Sequence, residues 1–222
     1  MKRYALTIAL LATAVCSFAQ SPVAVLKRVV GTVEIRAPGK AWTAAKAGAA
    51  LTKDTAISTG FKSVAVVALG DSVLTIKPLT RLTLEEIARQ EGSEQVKLYL
   101  LAGRVRAEVK PPSGGKTDFS VRSPTATASV RGTVFSFDGW NLDVSEGGVV
   151  FASPDGRQFT VPAGSYSFLD ANGAPLDPKL LAEQLAGLPL PPGLDADAAQ
   201  TLLSLLSNYG VKLGDVTVTV DW

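Results

Sequence analysis

The chain has 222 residues, with 22 lysines and arginines against 20 aspartates and glutamates, one cysteine and no histidine. The missing histidine excludes the usual zinc, copper and haem ligand sets, histidine-based triads and the commonest general base near neutral pH, so no cofactor is expected. Near-balanced, interspersed charge excludes nucleic acid, which is held by clustered Lys and Arg that neutralise phosphates.

The first twenty residues read as an export leader. Lys2 and Arg3 precede an apolar run reaching Val15, and Ser17-Phe18-Ala19 supplies the small-x-small pattern that suits cleavage after Ala19. The alternatives are an uncleaved membrane anchor and a lipoprotein processed at Cys16. The apolar run is shorter than the ~20 residues that span a bilayer, and Val15 stands where a lipoprotein site wants a very small residue. Removing residues 1–19 takes away Cys16, and with it any disulfide or thiolate chemistry, and leaves a formally neutral product. No later stretch is apolar for long enough to cross a membrane, so no transmembrane span is expected after cleavage, and the location is periplasmic or otherwise exported.

From Val23 to Leu169 short β-branched runs alternate with turn residues. VVGTVEIRA, SVAVVALG, SVLTIKP, RLTLEEIA, QVKLYLLAG and RVRAEVK are followed by DFSVRS, GTVFSFDG, NLDVSEG, GVVFASPDG, RQFTVPAG and SYSFL. That spacing marks an all-β domain over residues 20–169. Val105, Ala107 and Val109 alternate with Arg104, Arg106, Glu108 and Lys110, so one face is wet. SVAVVALG is apolar on both faces and is expected to be central or covered. Gly70-Asp71, Asp138-Gly139 and Asp155-Gly156 suit tight reversals, and KPPSGGKTD reads as a longer loop between two strands.

Residues 170–222 read as a small helix-plus-strand extension. Pro178 to Leu185 suits a short helix, GLPLPPG a stiff connector, and residues 197–209 a helix with Ala199, Leu202, Leu203 and Leu206 on one face. Asp197 and Gln200 have capping-box spacing, and Gly210 can close the end. Val216, Val218, Val220 and Trp222 then alternate as a final strand.

No motif nominates catalysis. Ser113-Gly114-Gly115-Lys116 has Ser-x-x-Lys spacing but lies in a Pro- and Gly-rich loop that holds neither side chain still. Gly115-Lys116-Thr117 mimics the end of a phosphate loop, yet the glycine that should stand at 110 is Lys110. Glu85 and Glu86 are neighbours on a strand and should face opposite ways, while Asp195 and Asp197 suit a helix cap. Trp42 and Trp140 are open to two readings, stacking on a sugar or partner and packing at the core edge.

In SPTATASVRGTVF, residues 123–135, Ala126, Ala128 and Val130 alternate with Thr127, Ser129 and Arg131. Together with Gly31-x-Val33, Trp42, Asp54 through Thr59-Gly60, the Ser63–Pro78 hairpin, Leu101-x-Gly103-x-Val105, Phe119-x-Val121, Glu146-Gly147-x-Val149 and Ala163-Gly164, this series resembles the FecR domain family over roughly residues 28–168. Gly70-Asp71-Ser72 replaces the family's Asp-Gly-Ser tip, and Ser123 its more familiar Thr. Typical members open with a cytoplasmic anti-sigma domain and a membrane helix, where this chain opens with a leader, so direct sigma-factor control is not carried over.

The resemblance implies a twisted, solenoid-like or rolled β-sandwich and a family signature of Pro124, Thr125, Arg131, Gly132 and Thr133. Gly132 should give a bulge or a close backbone approach. Arg131 should fork onto a carboxylate or free carbonyls, in which case its loss leaves a buried acceptor or charge unpaired and costs roughly 2–4 kcal/mol; the other reading is contact with a ligand or partner. The functional expectation is a non-catalytic envelope protein, a scaffold or signalling accessory with a protein partner. The rival is a module for cell-wall glycan, peptidoglycan, resting on Trp42 and Trp140. An enzyme would have to work through Asp, Glu, Ser, Lys or Tyr alone.

Overall fold

Strands that alternate apolar and polar residues need a second apolar face to cover them, and this chain supplies one by visiting two sheets in turn. The structure, a computed structural model, describes residues 24–90 and 92–180. The leader and Cys16, the 197–209 helix with its Asp195 and Asp197, the Val216–Trp222 strand and the later part of the 178–185 helix lie outside the described residues.

In chain order the strands are β1 (Ala24–Val30), β2 (Val33–Arg36), β3 (Thr43–Ala44), β4 (Ala50–Leu51), β5 (Ala56–Thr59) and β6 (Val64–Leu69). There follow β7 (Ser72–Ile76), β8 (Arg81–Gln90), β9 (Ser93–Ala102), β10 (Val105–Val109), β11 (Lys116–Arg122) and β12 (Thr127–Val130). Last come β13 (Thr133–Phe137), β14 (Asn141–Glu146), β15 (Gly148–Ala152), β16 (Gln158–Pro162) and β17 (Ser165–Phe168), and a helical turn at 178–180. Among the described residues no helix is long and apolar enough to cross a membrane.

One sheet runs β17-β14-β13-β10-β7-β6-β1-β4 and the other β16-β15-β12-β11-β9-β8-β5-β2-β3. The chain spends one or two strands in a sheet before crossing to its partner. This winding is the rolled, solenoid-like sandwich that the resemblance implies, and among the described residues both sheets remain open. Neighbouring strands are antiparallel except β9 and β11, which run parallel and bracket β10 in the opposite sheet.

The core lies between the sheets. Val105, Ala107 and Val109 are buried and Arg106 and Glu108 turn outward, as their alternation predicts. Two edge-to-face aromatic pairs tie one sheet to the other: Phe119 of β11 meets Phe135 of β13 at 6.4 Å, and Phe137 of β13 meets Phe151 of β15 at 6.0 Å. Such pairs add about 0.5–1.5 kcal/mol beyond the area they bury.

Three expectations are altered by the geometry. VVGTVEIRA is a corner, in which Gly31 takes φ +73° and lets the chain pass from β1 in one sheet to β2 in the other. A Cβ at that position would overlap the Ser63 hydroxyl. SVAVVALG is central, but Val64, Val66 and Ala68 are half-buried on an outer sheet face. Glu85 and Glu86 do not face opposite ways, because a bulge between Leu84 and Glu86 inserts one residue and turns both outward. Each finds its own cation there, Arg122 at 2.8 Å for Glu85 and Lys97 at 2.7 Å for Glu86.

Crossings take backbone out of the ladders, and at several of them buried hydroxyls receive it. Thr59 Oγ1 donates to the Lys77 carbonyl at 2.6 Å and accepts the Thr80 N–H at 2.9 Å. Thr80 Oγ1 donates to the Arg104 carbonyl and accepts the Arg104 N–H, at 3.2 and 3.0 Å. Ser63 accepts the Thr32 N–H at 2.8 Å, and Ser72 the Lys110 N–H at 3.2 Å.

Thr59→Val keeps the shape and removes these bonds. It is expected to lower stability by about 2–3 kcal/mol in urea unfolding, because it leaves buried backbone groups unpaired. Thr127→Val, on the half-buried outer face of β12, should change it by less than about 0.5 kcal/mol.

Candidate interaction surface

The reversal at 138–140 is built around one carboxylate. Asp138 Oδ1 accepts the N–H groups of Trp140 at 3.1 Å and Asn141 at 2.8 Å, and Oδ2 receives Arg104 at 2.8 Å. Asn141 also donates through its side chain and in turn accepts from the Tyr166 hydroxyl. Burial opposes ionisation of Asp138, but Arg104 and the surrounding N–H donors outweigh it and hold the carboxyl below the usual range. Burial, followed by the nearby Asp138 charge, pushes the Tyr166 phenol up. Asp138 is therefore an ionised structural anchor, unsuited to act as a general acid at neutral pH.

This knot holds Trp140 outward, 51% exposed, on an open groove of about 700 Å³ lined also by Lys77, Pro78, Leu79, Gly103 and Arg104. Leu79 is 63% exposed and adopts φ +55°, a left-handed conformation that costs a residue with a Cβ about 1–2 kcal/mol. Its N–H is bonded to the Gly60 carbonyl, which places it beside the next residue, Phe61, 73% exposed with the Lys62 ammonium 5.6 Å from its ring centre. Three large apolar side chains and the cations Lys62 and Lys77 thus converge on one end of the sandwich. Gly103 is required there, since at φ +92° its missing Cβ would otherwise overlap Thr80.

The residues singled out from the sequence are divided between the two ends. Thr125 and Ser123 reach the Gly139 carbonyl, at 2.7 and 3.2 Å, and so brace the Trp140 turn, while Pro124 is exposed between them. Thr133 bonds the Gly148 carbonyl at 3.0 Å at the opposite end of β13, about 15–20 Å away for a five-residue strand. Arg131 lies at that far end, on the turn between β12 and β13. It is exposed, and its guanidinium makes no hydrogen bond or ion pair among the described residues, so the buried fork is not formed. The close approach expected at Gly132 falls on Gly147 instead, where φ is +77° and an added Cβ would stand 2.6 Å from the Gly132 carbonyl oxygen.

Trp42 does not line the groove. It is half-buried, with the guanidinium carbons of Arg36 and Arg81 at 4.8 and 5.5 Å from its ring centre. Its face is already used by cations. The Ser113–Lys116 stretch is a loop that closes into β11, with the Gly115 N–H on the Pro112 carbonyl at 2.8 Å. Among the described residues no three His, Cys, Asp or Glu side chains cluster as metal ligands. Leu79 and Phe61 were missed in the sequence because each sits in a turn; the available signal was a large apolar residue where turn chemistry calls for a polar one, in Lys77-Pro78-Leu79-Thr80 and in Gly60-Phe61-Lys62.

Comparison with known proteins places a family model described as FecR protein on residues 55–166. Two crystal structures of a candidate anti-sigma factor from Parabacteroides distasonis ATCC 8503, at 1.65 and 2.50 Å resolution, are similar to the chain. They are 20% and 18% identical to it, each covers 72% of this chain, and 76% and 74% of their own lengths are covered, with a TM-score of 0.45 for each. No curated protein matches the chain.

Two substitutions separate anchor from ornament. Asp138→Asn is expected to lower stability at pH 7 by about 1.5–3 kcal/mol, the range for bonds to a charged group. Because the folded carboxyl is held low, its contribution is present above the ordinary value of about 3.9 and lost as pH falls through the folded one. The wild type should therefore lose more stability on acidification below about pH 4 than Asp138→Asn does. Arg131→Ala should stay within about 0.5 kcal/mol of wild type by urea titration.

Proposed function

Because the chain belongs to the FecR family, we propose that it is a non-catalytic envelope protein that acts by gripping a protein partner with the Trp140 end of its β domain, as a scaffold or signalling accessory. The partner surface complementary to this end is apolar with acidic flanks. It would fill the groove beside Trp140 and Leu79 and meet the Lys62 and Lys77 ammonium groups.

The observation that carries this reading is Leu79. An exposed leucine in left-handed backbone gains nothing from burial and loses free energy to its conformation, so the isolated domain has no use for it there. A partner that covers it recovers the apolar transfer free energy, roughly 1.5–3 kcal/mol for a fully buried leucine. Export rests on Lys2, Arg3, the apolar run to Val15 and Ser17-Phe18-Ala19. A non-catalytic groove is supported by Asp138, the one carboxylate that lines it among the described residues, being committed to Arg104, Trp140 and Asn141.

A second reading, a cell-wall glycan module, is favoured by the open indole of Trp140 next to the Asn141 amide and Lys77. Trp42 contributes little to it, since a sugar would have to displace Arg36 or Arg81.

A photo-crosslinking amino acid at position 79 or 61 is expected to capture the same protein in cells, whereas one at Val150, on a distant sheet face, should not. Leu79→Gly should reduce capture at position 61 at least tenfold while leaving stability within about 1 kcal/mol of wild type, because the relief of strain offsets the greater chain entropy. Equal capture from 61 and 150 would remove this end as the binding surface. Sedimentation with peptidoglycan that is lost in Trp140→Ala and kept in Trp42→Ala would favour the glycan reading instead.

A further inference from the structure

Among the described residues the fully buried polar side chains are serines and threonines with a single exception, Glu94. It occupies an inward position of β9, in line with Val96, Leu98 and Leu100, and is completely excluded from solvent. Among the described residues neither carboxyl oxygen has a hydrogen-bond partner. Its neighbour in the parallel pairing is Thr117 of β11, whose hydroxyl is also buried and unpartnered.

Gly70, at the β6–β7 tip of the opposite sheet, lies directly over the carboxyl. It has φ +57°, and a Cβ there would overlap the Glu94 side chain. Among the described residues the charges that act on Glu94 are Arg89 of β8 and Asp71 of the same tip, opposite in sign and paired with each other at 3.5 Å near the surface. The charged neighbours of Thr117 on β11, Lys116 and Asp118, are exposed on the outer face.

An ionised carboxylate without donors in such a place is untenable, and a protonated one asks for far less. We propose that Glu94 is a proton-operated latch: the Gly70 end of the sandwich closes on the neutral acid, and loss of its proton drives the β6–β7 tip away from β9. Burial is the main cause that raises the Glu94 carboxyl above its ordinary value, and Arg89 only partly opposes it. For a carboxyl raised by folding, the stabilisation is complete below the unfolded-state value of about 4.3 and disappears as pH rises through the folded one. The latch is thus shut in acid and strained toward neutral and alkaline pH. Opening uncovers the β6–β7 tip, the 92–94 corner and the start of β11 together, because the Lys116 N–H is bonded to the Gly92 carbonyl at 2.8 Å.

Urea unfolding and amide hydrogen exchange of the full chain, wild type and Glu94→Gln, between pH 4 and 8.5 test the latch. The unfolding constant of the wild type should rise with pH relative to Glu94→Gln, by about tenfold for each unit of displacement of the carboxyl. Amides at 70–72, 92–94 and 115–117 should lose protection with rising pH in the wild type alone, after correction for intrinsic exchange. Parallel pH profiles for the two proteins would overturn the proposal. Should Glu94→Gln fail to fold, the carbon-13 resonance of the wild-type Glu94 carboxyl decides: titration above the ordinary glutamate range sustains the latch, and titration at or below it ends it.

Discussion

A chain that leaves one sheet for the other after every one or two strands takes N–H and C=O groups out of the ladders at each crossing, and at several crossings serine and threonine hydroxyls meet them where other backbone does not. Burying those groups unpaired would cost more than the apolar contacts nearby return. The hydroxyls of Thr59, Thr80, Ser63, Ser72, Ser123 and Thr133 each bond backbone distant in sequence, so the two sheets are fastened at their rims as well as by the phenylalanine pairs between them. A hydroxyl can donate and accept at once. That is why Thr80 can hold both the N–H and the carbonyl of Arg104 with one atom.

The same fastening presents the candidate interaction surface. Thr80 fixes Arg104, Arg104 reaches Asp138, and Asp138 sets the turn that carries Trp140. Leu79 precedes Thr80 and inherits its left-handed backbone from a corner whose other bonds are already made. The groove is therefore rigidly supported from below while its contact atoms are exposed. This suits recognition by a preformed surface, in which little ordering is left for the moment of binding.

Much of the fold was legible because burial in a sandwich follows a period of two. The wet and dry faces of β10, the glycine tips at 70, 139 and 156, and the inward Ala126, Ala128 and Val130 all follow from that rule. The short strands β3, β4 and β5 were not legible: two to four residues rich in alanine and threonine carry no alternation to read. Glu85 and Glu86 escaped because a bulge adds a residue that periodicity cannot announce. Arg131 misled for a different reason, since a motif shows that a residue recurs at a place without showing which way its side chain points. Glu94 was within reach of the same rule, as its parity matches Val96, Leu98 and Leu100. An acid at an inward position is a conflict between pattern and chemistry, and such conflicts mark sites where something besides packing is specified.

The parallel pairing of β9 with β11 also constrains how the molecule can assemble. Hairpins such as β6–β7, β8–β9 and β15–β16 close over a few residues, but β11 can align beside β9 only after β10 has crossed over and docked in the other sheet. Loop-closure entropy then favours a winding order, each coil laid against the one before it, over a collapse that pairs all strands at once. Until β10 is seated, the free flank of β9 is an unfilled template for a wrong strand, and the ten-residue length of β9 makes that the most vulnerable interval in the life of the chain.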